Sequence, residues 1–306
     1  MNSKRLLKKA ASPQESFKEN LPCYIMIAPF ILLFILFLII PIAASVILSL
    51  FDFDMVSAPR FIGFTNYFRM FFDDEVFVTI VKNTLVLALI TGPVGFALSF
   101  VLAWFLNEFK PFMRTLLSFM FYCPALVGNA YFIWQVAFSS DSYGYMNSLL
   151  LSAGFITEPI NWLKDAAYVT PIIIVVQLWM SMGVGFLANI SGLQNVNAEM
   201  YEAGAIDGIR NRWQELWYIT LPSMKSMLMF GAVQAITAAF GFGAIVDQLC
   251  GNPSVDYCAW TLTHHLSEYM NIRFEFGYAS AISLVLFFLS IGSNIAVQKL
   301  LSKVGQ

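Results

Sequence analysis

The length of its uncharged apolar runs constrains this chain more than any other feature. A helix rises 1.5 Å per residue, so about 20 residues cross the hydrocarbon core of a bilayer. Six segments meet that length, at about 23–50, 83–106, 115–138, 168–190, 226–246 and 277–298, and none contains Asp, Glu, Lys or Arg. Composition supports the same reading. Of 306 residues, 58% are hydrophobic and 12% charged, too little polarity to cover a soluble globule of this size. The sequence therefore predicts an all-α integral membrane protein with six transmembrane helices. No basic stripe with interleaved aromatics is present, which argues against a nucleic-acid partner.

Orientation follows from the basic residues. With the N-terminus in the cytoplasm, Lys4, Arg5, Lys8, Lys9, Lys18, Lys110, Arg114, Arg210, Arg212, Lys225, Lys299 and Lys303 lie inside. Only Arg60, Arg69, Lys82, Lys164 and Arg273 lie outside, a 12 to 5 bias that places both termini in the cytoplasm. The first apolar run is too long for a cleaved signal peptide. The "LPC" at Leu21–Cys23 does not fit a lipoprotein box, because the apolar run follows the Cys. Cys23 and Cys123 read as small hydrophobes. Cys250 and Cys258 share one external loop, but spacing alone does not establish a disulfide.

One segment breaks the pattern. "YEAGAIDGIRNRWQELWYITLP", residues 201–222, is polar and lies in the cytoplasm between the fourth and fifth spans. Glu199 and Glu202 suit the start of a short helix, Gly204 allows close approach, and Gly208 is a break point. Trp213, Leu216, Trp217 and Ile219 give the following stretch an apolar face, and Pro222 fits the first turn of the next helix. These features fit a docking element and a helix lying on lipid headgroups equally well. The spans hold no charge for a proton relay, and the sequence has no phosphate-binding G-x-x-x-x-G-K-[ST]. Any uphill transport must draw its energy from a cytoplasmic partner.

"EAGAIDG" at Glu202–Gly208 followed by "ITLP" at Ile219–Pro222 resembles the EAA loop of permeases from binding-protein-dependent ABC importers, especially those for sugars of the maltose and glycerol-3-phosphate type. "KNTL" at Lys82–Leu85 is similar to that group too, and the resemblance covers roughly Thr79 to Leu300. It implies a type I importer permease fold with a permease domain at 79–300 and an EAA loop at 199–222. The remaining parts are a cytoplasmic segment 1–22, a first helix 23–50, an external loop 51–78 and a tail 301–306. It implies that Glu202, Ala203, Gly204, Asp207, Gly208, Leu221 and Pro222 couple to a cytoplasmic ATPase dimer. It further implies a second homologous permease, an extracytoplasmic substrate-binding protein and residence in a bacterial cytoplasmic membrane. The chain departs from the pattern twice. Gly204 replaces the last Ala of the triplet, and ten residues instead of about nine separate Gly208 from Ile219.

A sugar path needs aromatic faces for rings and amides or hydroxyls for OH groups. Asn129, Trp134, Gln177, Trp179 and Gln234 are the candidates, with Tyr131, Gln135, Ser181, Thr237, Ser283 and Asn294 as further polar groups in spans. Each could instead bond helix to helix. External loops carry 12 of the 19 acidic residues, which a solvated surface explains. His264 and His265 are adjacent, with no ligand spacing that supports a metal, and no cofactor motif or catalytic constellation is present. The rival to an ATP-driven importer is an ATP-independent channel or facilitator for a small polar solute. Topology has a direct check. An impermeant thiol reagent added to sealed cells should label engineered cysteines beside Asp54, Asp141 and Asp256. Labelling beside Arg212 would reverse the orientation.

Overall fold

The computed structural model describes residues 13–127, 130–241, 243–251 and 253–302. Helix α1 (Pro13–Phe34) passes through a π-helical turn at Ile35–Ile39 into α2 (Ile40–Leu48). The helix thus begins ten residues before the expected start of the first span. Its apolar window is wholly unburied within this chain, as lipid or another membrane subunit would require. A two-residue hairpin follows, with Phe51 opposite Phe61 and Asp52 opposite Arg60. Next come α3 (Thr65–Phe68) and a second π turn, Arg69–Asp73.

The core spans pack around α4 (Phe77–Asn107), which runs unbroken through Pro93. Beside that proline, Gly92 faces Ile236 and Ala239, and a Cβ on Gly95 would sit 3.0 Å from Ser181 Cβ. The glycines here are close-packing positions. The third expected span is not one helix. α5 (Pro111–Leu126) ends just after Pro124, which takes a donor from its last turn, and α6 (Phe132–Ala137) starts after extended Val127. Past α7 (Tyr145–Ser152), the fourth span is α8 (Ala166–Met180) and α9 (Val184–Gln194), bent by 43° at Ser181–Gly183. Two short helices, α10 (Ala198–Ile206) and α11 (Arg212–Glu215), precede a third π turn at Leu216–Thr220 and α12 (Leu221–Ser223). The fifth span is divided between α13 (Lys225–Ala239) and α14 (Gly243–Cys250). α15 (Leu262–Asn271) leads to the last span, α16 (Phe276–Ser302). Of the six expected spans, three are single helices long and apolar enough to cross a membrane, and the bent α8–α9 pair makes a fourth. The other two are covered only by pairs of shorter helices.

Among the described residues, three clusters form the core. One, on the side of α10, joins Phe100, Phe186, Leu193, Leu216 and Leu228. A central one joins Leu87, Ile173, Val176, Ile236 and Val246. One on the opposite side joins Met70, Phe77, Trp260, Tyr278 and Ile282. Two features on that opposite side are tightly fixed. Fully buried Asn147 donates to the carbonyls of Ser139, Asp141 and Ile160 and accepts from Ile160 N and Trp162 Nε1, which pins the loop between α6 and α8. His265 Nε2 and the Tyr278 hydroxyl both bond Asp74 Oδ2, at 2.7 and 2.8 Å. Burial pushes the Asp74 carboxyl up, but these bonds more than reverse it and hold the group below the usual carboxylate range. His264 is buried as well, bonded to Thr261 and to the Gly243 carbonyl. Both histidines serve the packing of the outer loops, a role not visible from their spacing.

The first turn of α16 rides directly on the hairpin. A Cβ on Gly277 would lie 2.0 Å from the Phe51 carbonyl oxygen, and that neighbour is backbone that cannot rotate away. Gly277→Ala should therefore lower the stability of the solubilised protein by about 1–3 kcal/mol. Thermal unfolding in detergent measures this, and an unchanged midpoint would refute the contact.

Candidate coupling element and polar cavity

The docking segment is built by its caps. Asn197 Oδ1 accepts from Glu199 N and starts α10. At the other end Ile209 N donates to Gly204 O at 2.9 Å and Gly208 N to Ala205 O at 3.4 Å. That bond pair is a Schellman motif, and it needs a left-handed residue where Gly208 has φ +95°. The expected break at Gly208 is thus a helix stop made from two hydrogen bonds.

Gly204 is the buried member of α10. A Cβ there would meet Ile219 Cδ1 at 2.6 Å and Ile209 Cδ1 at 3.1 Å. The residue that departs from the family triplet leaves room for Ile219. The second departure has a matching explanation. A π turn holds one more residue than the α-helical turn it replaces, and one spans Leu216–Thr220, immediately before the Leu221–Pro222 end of the motif. The extra residue is wound into the helix and does not lengthen the loop. The expected second helix is accordingly one turn of α-helix, this π turn and α12.

The element is tied to the membrane body from several sides. The Tyr201 hydroxyl lies 3.0 Å from Thr220 Oγ1. Arg212 bridges Glu215 at 2.9 Å and, from the end of α4, Glu108 at 2.7 Å. The bond to Glu215, aided by the Glu108 charge, holds the guanidinium above its ordinary range. Trp213 and Trp104 have ring centroids 5.2 Å apart. Glu202, Ala203 and Asp207 remain exposed, and Leu221 packs on the cluster around Phe186 and Leu216 beside Pro222. Ile206 is 87% exposed at the tip of α10. Sequence reading passed over it, and its signal was an isoleucine in a polar helix end.

The polar span residues divide into groups. Gln177 and Gln234 come together, with Ser181, around a cavity of about 190 Å³ at the α8–α9 bend. Thr91, Ser99, Gly185 and Gly231 also line it. These four were not foreseen, because small residues read as packing. Beneath it, fully buried Asn189 reaches Ser99 Oγ at 3.3 Å, and its Oδ1 has no partner among the described atoms. Trp134 and Trp179 do not line this cavity. They meet edge to face at 5.6 Å, and Trp134 stacks on Phe138 and packs against the central cluster. Tyr131 is buried there too. Gln135 instead faces an outer depression with Ser139, Asp141 and Lys164. Thr237 and Ser283 bond to their own helices, as does Asn294 Nδ2. Asn129 falls outside the described residues. Cys250 and Cys258 are both free thiols.

An uncharged, amide-lined cavity in a bundle of broken helices, with a capped helix exposed at one end, is a permease arrangement. Residues 94–306 match the family model described as the binding-protein-dependent transport system inner membrane component, and the chain belongs to that family. It is 31% identical to the probable ABC transporter permease protein YesP of Bacillus subtilis, over 88% of this chain and 86% of that one. It is 29% identical to the lactose transport system permease protein LacF of Rhizobium radiobacter, over 86% and 88%. It is 30% identical to the arabinooligosaccharides transport system permease protein AraP of Bacillus subtilis, over 90% and 87%. In fold it matches a chain of a bacterial ABC transporter involved in import of the acidic polysaccharide alginate, with TM-score 0.78 over 96% of this chain and 99% of the other, at 21% identity.

The cap is open to test. Nothing lies within 4 Å of a Cβ placed on Gly208, so only the backbone penalty operates there. Gly208→Val should cost about 1–2 kcal/mol of local stability, seen as faster amide exchange in the last turn of α10 with membrane insertion intact. Gly208→Asn should come close to wild type, and equal protection in all three would show that no left-handed cap is needed.

Proposed function

We propose that this chain is the membrane-spanning subunit of an ATP-driven importer that moves a carbohydrate across a bacterial cytoplasmic membrane. Both termini lie in the cytoplasm. The observation that carries the reading is α10, held rigidly to the membrane body through Gly204 and Ile219 while Glu202, Ala203, Ile206 and Asp207 face outward. The chain itself performs no hydrolysis. A cytoplasmic ATPase dimer grips α10 through Ile206 and its acidic neighbours, a second homologous permease completes the path, and an extracytoplasmic binding protein delivers the substrate.

The neutral cavity supports a sugar as cargo. Gln177 and Gln234 offer donors and acceptors without charge, as hydroxyl groups require. Relatives named for lactose and arabinooligosaccharides point the same way. Trp134 and Trp179 act by setting the wall of the path. Leu221 and Pro222 form the exit of the coupling element into the fifth span, a reading that the likeness of "ITLP" to the family motif supports.

The test is a complex reconstituted in liposomes with its ATPase and binding protein, assayed for subunit retention, ATP hydrolysis and uptake of lactose and arabinotriose. Glu202→Lys and Ile206→Asp should release the ATPase or separate hydrolysis from uptake. Gln177→Ala and Gln234→Ala should leave the complex assembled and cut uptake about tenfold each, the effect of about one hydrogen bond. Normal behaviour of both coupling variants would reduce α10 to an interfacial helix. Flux through this chain alone, without ATP, would establish a channel instead.

A further inference from the structure

The Lys82–Leu85 stretch is so far only a resemblance, yet two of its side chains have a distinct use. Asn83 Nδ2, on the second turn of α4, donates to the carbonyl oxygens of Tyr257 at 2.8 Å and Trp260 at 3.2 Å. Buried Thr84 donates to Ile80 O and accepts from Leu262 N at 2.9 Å. Both neighbours therefore grip the external connection between α14 and α15, more than 170 residues away in the chain.

That connection is under tension. Asp256 has φ +50° and Tyr257 φ +54°, two successive residues with side chains in the left-handed region. Such a pair persists only where surrounding contacts over-determine it. Trp260, almost fully buried against His264, leaves its Nε1 without a partner among the described atoms. A loop with strained backbone and an orphaned indole N–H tends to open, and the bonds from α4 oppose this.

We propose that Asn83 and Thr84 are positioning residues forming a clasp that holds loop 253–261 shut against the outer end of α4, and that its release is a step in opening the path to the outside. The gating part rests on the importer reading above. The loop joins the outer ends of two spans: α14 ends the fifth, and α15 leads into the sixth.

Cys258 lies next to the strained pair and is half-buried, so it reports on the clasp. In a full chain carrying Cys23→Ser, Cys123→Ser and Cys250→Ala, an impermeant maleimide should label Cys258 slowly. Asn83→Ala should raise the rate about tenfold by removing the Asn83 bonds that oppose opening. Adding Asp256→Gly to Asn83→Ala should slow labelling again, because glycine adopts positive φ without strain. A merely structural Asn83 would give no such rescue. Equal rates in the parent and Asn83→Ala, or no slowing by Asp256→Gly, would overturn the clasp. The gating step is read in the reconstituted complex: Cys258 should label faster during ATP turnover with binding protein than without ATP. Unchanged labelling during demonstrable uptake would overturn gating. Absence of any ATP-dependent uptake would instead count against the importer reading and leave the clasp to its own labelling result.

Discussion

Backbone amides have no water to turn to inside a bilayer, so every interruption of a helix must be covered by protein. That requirement organises this bundle. The interruptions that follow Leu126, Met180 and Ala239 have buried groups beside them, Tyr131, Met182 and Phe240. The second borders the polar cavity, where Ser181 and Gly183 are part of the lining. α4 is the continuous helix that makes the arrangement workable. Its small residues Gly92, Gly95 and Ser99 let the broken helices come close enough to shield the open backbone.

The same helices connect the cavity to α10 by a short route. α9 starts at the cavity with Val184 and ends at Gln194, about 16 Å of helix. Only a few residues then precede α10. A displacement of α10 passes into α9 directly and into α4 through the Arg212–Glu108 pair and the Trp104–Trp213 contact. The ion pair is solvent-exposed and worth little as stability. Its contribution is to alignment.

How much of this was legible in the sequence follows from the reach of each interaction. The spans were readable because solvation by lipid acts on whole windows of residues. Their breaks were not, because an internal proline carries two outcomes: Pro93 sits in an unbroken helix, while Pro124 stands at the end of one. The difference lies in what packs around them. Gly208 was legible because a left-handed cap is a local demand. Gln177 and Gln234 were legible as polar groups in apolar helices, but their meeting was not. Trp134 and Trp179 show the reverse. Their type suggested a binding surface, and in the fold they lie against each other, away from the cavity that Gln177 and Gln234 line. The grip of Asn83 on Tyr257 could not be foreseen, since nothing local marks a contact across 174 positions.

The π turn at Leu216–Thr220 carries a further consequence. One residue advances a regular helix by about 100° of rotation. Wound in as a wider turn, the additional residue leaves the angular phase of the motif intact, so Ile219 still points at Gly204. Spacing along the chain and direction in space are thereby uncoupled. The quantity held constant is the angle at which the membrane helix leaves its cytoplasmic seat, while the number of residues spent reaching it is free to vary.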